Sequence, residues 1–168
     1  MKKIQMVDLQ GQYTKIKDTV DRSIQEVLDS SAYINGPYVK QFQADLEEYL
    51  GVKHVIPCAN GTDALQIAMM GLDLKQGDEV ITVDFTFAAT VEVIALLKLT
   101  PVLIDVEPDT FNIDIDALKK AITPKTKAIV PVHLFGLCAN MDAVMEVAKE
   151  HNLFVIEDTA QALSLIHI

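Results

Sequence analysis

Two separated stretches carry residue types that could grip a small charged ligand from both ends. The first, Cys58-Ala59-Asn60-Gly61-Thr62-Asp63-Ala64-Leu65-Gln66, is a short apolar run that breaks at Asn-Gly and restarts as a helix. The leading N–H groups of such a helix have no intrahelical acceptor, so an anion can sit against them. Gly61 would let the backbone turn sharply and approach a ligand with no Cβ in the way. Thr62 adds a hydroxyl beside it, although Thr62 or Asp63 could equally do no more than cap the helix. The second stretch, Ile156-Glu157-Asp158-Thr159-Ala160-Gln161-Ala162, is an apolar run ending in a carboxylate. An unpaired charge is costly to bury there, so Asp158 needs a cation or several donors, or else it caps a following helix. A pyridinium N–H is a suitable cation, and the carboxylate would keep its nitrogen protonated. Phosphate at one end and a protonated ring nitrogen at the other point to pyridoxal phosphate, whose ring withdraws electrons from a substrate's α-carbon.

Other candidates have equally ordinary readings. Asp84-Phe85-Thr86-Phe87-Ala88-Ala89-Thr90 places two aromatics beyond a strand, where one could stack on a flat ring or both could pack in the core. His133 could line a pocket or be a satisfied structural histidine, while His54 and His151 read as surface residues and Glu107-Pro108-Asp109 as a turn. Cys58 and Cys138 lie in apolar stretches and read as buried free thiols of a reducing cytoplasm, without metal-ligand spacing. No G-x-G-x-x-G or G-x-x-x-x-G-K-[ST] pattern occurs, which weakens dinucleotide and P-loop readings.

The elements that would position these residues follow from hydrophobic spacing. Ile16, Val20, Ile24, Val27 and Leu28 predict an amphipathic helix over 12–30, Asn35-Gly36-Pro37 breaks it, and a second helix runs to Gly51. An alternation follows, with strands at Val55–Ala59, Glu79–Val83, Val102–Asp105, Ala128–Val132 and Leu153–Ile156. Helices at Thr62–Gly71, 88–98, 114–122 and 140–151 separate them. Short, continuous, β-branched strands alternating with helices predict an α/β fold, a mostly parallel sheet covered on both faces. Ligands of such sheets lie beyond the carboxyl ends of the strands. Those ends here are Asn60-Gly61, Asp84 through Phe87, Asp105, His133 and Asp158.

Composition narrows the classes further. A chain of 168 residues, half apolar and 23% charged, is ordinary for a soluble globular domain. Its net charge of −10 argues against a nucleic-acid surface, which needs a basic face. The N-terminus lacks the apolar core of a signal peptide, and no apolar run approaches the roughly 20 residues that span a bilayer. A soluble, cytoplasmic protein with no membrane partner is expected.

Several motifs in one order resemble those of the DegT/DnrJ/EryC1/StrS sugar aminotransferases, within the aspartate-aminotransferase fold type. The resemblance runs over residues 4–162. It rests on Asn35-Gly36-Pro37, Cys58 through Leu65, Gly77-Asp78-Glu79-Val80 and Thr86-Phe87-Ala88-Ala89-Thr90. Pro131-Val132-His133-Leu134-Phe135-Gly136 and Glu157 through Ala162 complete it. It implies a three-layer α/β/α large domain binding pyridoxal phosphate. Gly61 and Thr62 would hold the phosphate, Phe87 would stack on the ring, Asp158 would pair with its nitrogen, and Gln161 would lie near its phenolic oxygen. Family members move an amino group, usually from glutamate, to a keto group of a nucleotide-linked sugar, and work as homodimers. The runs Cys58–Ile67 and Ala121–Lys127 look most similar to enzymes acting on UDP-linked 3-keto sugar acids.

One departure bears on activity. The family's Schiff-base lysine lies about two dozen residues beyond the Glu-Asp motif, and no lysine follows Lys149 here. The resemblance therefore implies an N-terminal fragment: residues 1–162 from the large domain, with 1–35 as an arm and helix, and the C-terminal small domain absent. Such a fragment would lack transaminase activity, and its sheet would be incomplete. Residues 163–168, Leu-Ser-Leu-Ile-His-Ile, read as a non-native tail joined to an interrupted gene. Two other functions stay open: a family member that dehydrates sugars or serves a regulatory task, and a Rossmann-type nucleotide-binding module.

Overall fold

The computed structural model describes residues 7–163. It divides into two compact units, Met1–Pro57 and Cys58–Ile168. Met1 through Met6 of the expected N-terminal arm, and residues 164–168 of the expected non-native tail, lie outside the described residues.

The first unit holds two helices, α1 (Leu9–Ser30) and α2 (Pro37–Leu50). Asp8 starts α1 by accepting the Gly11 N–H at 2.9 Å. Helix α2 begins with Pro37 at its first turn, where the missing N–H costs nothing. Gly36 precedes it because a Cβ there would come within 2.2 Å of the Ala32 carbonyl oxygen. Gly51 closes α2 in the left-handed conformation, φ 65°. The strand expected at Val55–Ala59 does not form: the segment pairs with no strand among the described residues, and Ile56 stays 74% exposed. An apolar run is compatible with a strand but cannot supply a neighbour, and Pro57 removes one ladder donor.

In the second unit helices and strands alternate, as the hydrophobic pattern predicts. After α3 (Gly61–Gly71) come β1 (Glu79–Val83), α4 (Ala88–Leu96), β2 (Thr100–Ile104) and α5 (Ile115–Ala121). Then follow β3 (Thr126–Val130), a 3₁₀ turn at Leu134–Gly136, α6 (Met141–His151) and β4 (Phe154–Val155). The four strands are all parallel, in the order β2-β1-β3-β4.

Alternate residues of each central strand feed two cores, as a pleated strand covered on both sides requires. Val80, Ala128 and Val130 pack with Leu65 and Met69 of α3 and with Val93 and Ile94 of α4. Ile81, Val83 and Ile129 pack with Leu118 of α5 and with Val144, Val147 and Ala148 of α6. The result is the expected three-layer arrangement. β1 leads outward to β2 on one side, while β3 and β4 lie on the other, so the order reverses between β1 and β3. The buried Thr82 hydroxyl bridges that pair, donating to the Val130 carbonyl at 2.9 Å. Crevices for ligands open at such reversals, beyond the carboxyl ends of the strands.

The cysteines correct an expectation. Both thiols are exposed. Cys58 sits in the non-strand segment before α3 and Cys138 in the loop after the 3₁₀ turn, so apolar neighbours in sequence did not translate into burial.

Candidate functional site

A cavity of about 470 Å³ opens at the carboxyl end of the sheet, within the size range of small-molecule sites. Gly61, Thr62, Phe87, Asp158 and Gln161 all line it, with Thr86, Thr90 and Glu157. The strand ends that the sequence pointed to are thus partly brought together and partly separated. His133, Asp84 and Asp105 are not in the lining.

One wall is the start of α3. Asn60 caps the helix, its Oδ1 accepting the Asp63 N–H at 2.9 Å, so the cap is neither Thr62 nor Asp63. The Ala64 N–H is taken by the Asn60 carbonyl. The N–H groups of Gly61 and Thr62 and the Thr62 hydroxyl therefore keep their donors with no acceptor among the described residues. Gly61 is not in a left-handed conformation, so it does not make the sharp turn the sequence suggested. Its value is space: a Cβ built on it meets nothing within 4 Å, so that a ligand can approach the backbone.

The opposite wall is the end of the sheet. Asp158 follows β4, and two backbone bonds pin it to the β3 extension: its N–H donates to Pro131 O at 2.9 Å, and its carbonyl accepts the His133 N–H at 3.1 Å. The residue is 8% exposed. Oδ1 accepts the Ala160 N–H at 3.2 Å and Oδ2 accepts the Thr90 hydroxyl at 2.9 Å. The first bond closes a turn, whereas the capping alternative called for a helix, which the described residues after Asp158 do not form; the second leads elsewhere. No cation pairs with this carboxylate among the described residues. Two neutral donors leave two of its lone-pair positions open, and a buried carboxylate without a cation attracts one.

Between the walls stands Phe87, at the N-cap of α4 and 74% exposed, its ring on the cavity. The other aromatic of that loop, Phe85, instead joins Phe111 and Phe135, with ring centroids 5.4 and 6.4 Å away. Gln161 is tied back to the same region, its Oε1 accepting the Phe135 N–H at 2.7 Å. Phe135 takes up a left-handed backbone, φ 54°, that presents this N–H.

Three groups escaped the sequence reading. Thr90 touches Asp158 directly, and Thr86 Oγ1 lies 3.2 Å from Thr90 Oγ1. Glu157, in the lining, is held by His133 at 2.9 Å. Phe87 and Thr90 lie three apart in the first turn of α4, on one side of a helix, and that spacing was the available signal.

The donor set fits a flat ligand with an anionic tail and a cationic ring nitrogen. Among the described residues, N–H groups and a hydroxyl without acceptors face an open space at one end, an aromatic face flanks the middle, and a buried carboxylate without a cation closes the other end.

Known proteins bear on this geometry. A UDP-2-acetamido-2-deoxy-3-oxo-D-glucuronate aminotransferase of Pseudomonas aeruginosa is 49% identical over 95% of this chain and 44% of its own length. A pleiotropic regulatory protein of Geobacillus stearothermophilus is 48% identical over 95% of this chain and 43% of its own. The chain therefore spans less than half the length of these relatives. Among solved structures, S. venezuelae DesV superposes with a TM-score of 0.93 at 38% identity, covering 96% of this chain and 44% of that one. Bacillus subtilis NtdA with bound cofactor PMP gives 0.84 at 38% identity, covering 89% and 34%. The profile of the DegT/DnrJ/EryC1/StrS aminotransferase family matches residues 14–167, and the chain belongs to that family.

Proposed function

We propose that residues 58–163 form the pyridoxal phosphate cradle of an enzyme that aminates a keto group on a nucleotide-linked sugar. The observation that carries this reading is the buried carboxylate of Asp158, with no cation on it among the described residues, across one cavity from the Gly61 and Thr62 N–H groups, which have no acceptor among them either. Family membership and the named activity of the Pseudomonas relative support it.

When bound, the cofactor supplies a ring that takes up negative charge developing on the α-carbon of the amine donor. This chain's residues would place and polarise that ring. Gly61 and Thr62 would receive the phosphate on two N–H groups and a hydroxyl, helped by the positive end of α3. Phe87 would lie against the ring face and exclude water from it. Asp158 would hold a proton on the ring nitrogen, which keeps the ring electron-poor. Gln161, with Oε1 committed to Phe135, would offer Nε2 as a donor to the ring's oxygen substituent. Glutamate as amine donor, a UDP-linked 3-keto sugar acid as acceptor, assembly as a homodimer and a cytoplasmic location belong to the same proposal. So does the division that places the lysine and a small C-terminal domain in sequence outside this chain. No helix among the described residues is long and apolar enough to cross a membrane.

The test is amino transfer by the full-length gene product. Loaded with pyridoxal phosphate and given glutamate, it should release 2-oxoglutarate, then pass the amino group to a UDP-linked 3-keto sugar. Uptake of the cofactor without glutamate conversion would instead favour a regulatory member, a reading supported by the Geobacillus relative.

A further inference from the structure

The hydroxyls behind Asp158 form a directed chain. Thr90 is 1% exposed and has one hydroxyl proton, which goes to Asp158 Oδ2 at 2.9 Å. Its contact with Thr86 Oγ1 at 3.2 Å must then run the other way, with Thr86 donating and Thr90 accepting. The direction Thr86 to Thr90 to Asp158 is thus fixed by proton count. Both threonines stand at the start of α4, next to Phe87, so one loop and one helical turn present the ring-facing aromatic and the carboxylate's donor together.

Resting on the cofactor reading above, we infer that Thr90, backed by Thr86, is a positioning residue that sets the orientation of Asp158 toward a ring nitrogen. The Thr90 hydroxyl gives Oδ2 of the carboxylate a fixed donor. The same bond, with the Ala160 N–H on Oδ1, fixes the carboxylate's rotation, so the open lone pairs face one direction. A chain of donors is stronger than its isolated links, which gives the distant Thr86 a share in the effect. Glu157 is the other titratable side chain in the lining, and it is engaged by His133 rather than by Asp158.

The experiment uses the full-length gene product loaded with pyridoxal phosphate carrying ¹⁵N at the ring nitrogen. The nitrogen resonance is followed against pH in the native protein and in Thr90→Val, Thr90→Ser and Thr86→Val, alongside the dissociation constant for the cofactor. In Thr90→Val the ring nitrogen should lose its proton about one unit lower in pH, with binding about tenfold weaker. Thr90→Ser, which keeps the hydroxyl, should restore both. Thr86→Val leaves the direct donor in place and should shift the resonance the same way by less, which serves also if Thr90→Val fails to fold. A titration unmoved in both valine variants, with the native protein binding normally, overturns the inference while leaving the cofactor reading intact. No uptake by the native protein overturns both.

Discussion

The fully buried imidazole of His133 lies with Nε2 2.9 Å from Glu157 Oε2, and its Nδ1 accepts the Ala139 N–H at 3.2 Å. The second bond makes Nδ1 the acceptor, so the proton is on Nε2 and points at the glutamate. His133 is therefore a strut that joins the loop after β3 to the strand end carrying Glu157 and Asp158. His133→Phe should destabilise the protein by about 1–3 kcal/mol in urea unfolding, because the buried Ala139 N–H loses its acceptor. Cofactor uptake should fall much less than on changing Asp158.

Gly61 separates stability from binding. Because a Cβ there meets nothing, Gly61→Val should fold with a melting temperature close to that of the native protein. The side chain would nonetheless fill the space in front of the Gly61 and Thr62 N–H groups. Pyridoxal phosphate should bind at least about tenfold more weakly, the scale of one lost charge-assisted hydrogen bond.

The cap of α3 gives the opposite separation. Asn60→Ala removes the acceptor for the Asp63 N–H and should cost about 1 kcal/mol of stability. Asn60→Asp keeps an acceptor and should cost little, and chemical denaturation of the two variants tells them apart.

A pH effect is expected in the first unit. Gln43 Nε2 and the Val55 N–H both donate to the Glu47 carboxylate, and they hold its pKa below the usual glutamate value, the glutamine contributing most. A depressed folded value means the stabilisation is present above the unfolded pKa and is lost as pH falls through the folded one. Gln43→Ala should raise the Glu47 titration toward the ordinary glutamate value, as read from its carboxyl ¹³C shift.

What could be read from the chain alone depended on how local each signal was. Strand and helix positions from Glu79 to His151 follow hydrophobic spacing, a property of neighbours in sequence, and they fall within about two residues of the observed bounds. Val55–Ala59 has the same apolar texture and forms no strand, since pairing requires a partner that texture does not reveal. Asp158, Phe87 and Gly61 were legible because strand ends and helix starts converge in a parallel sheet. Thr90 was not, because its bond to Asp158 joins residues 68 apart and a buried threonine in a helix has no signature of its own. Asn60 was passed over as a cap in favour of Thr62 and Asp63, since all three residue types accept from helix N–H groups and only geometry decides.

Equilibrium titration of the full-length gene product with pyridoxal phosphate, native against Asp158→Asn, tests the central claim most directly. The amide keeps the shape of the aspartate and removes its charge. The native protein should take up one cofactor per chain, and Asp158→Asn should bind at least about tenfold more weakly while unfolding at a similar temperature. Equal affinity in the two proteins, or no uptake by either, would contradict the account.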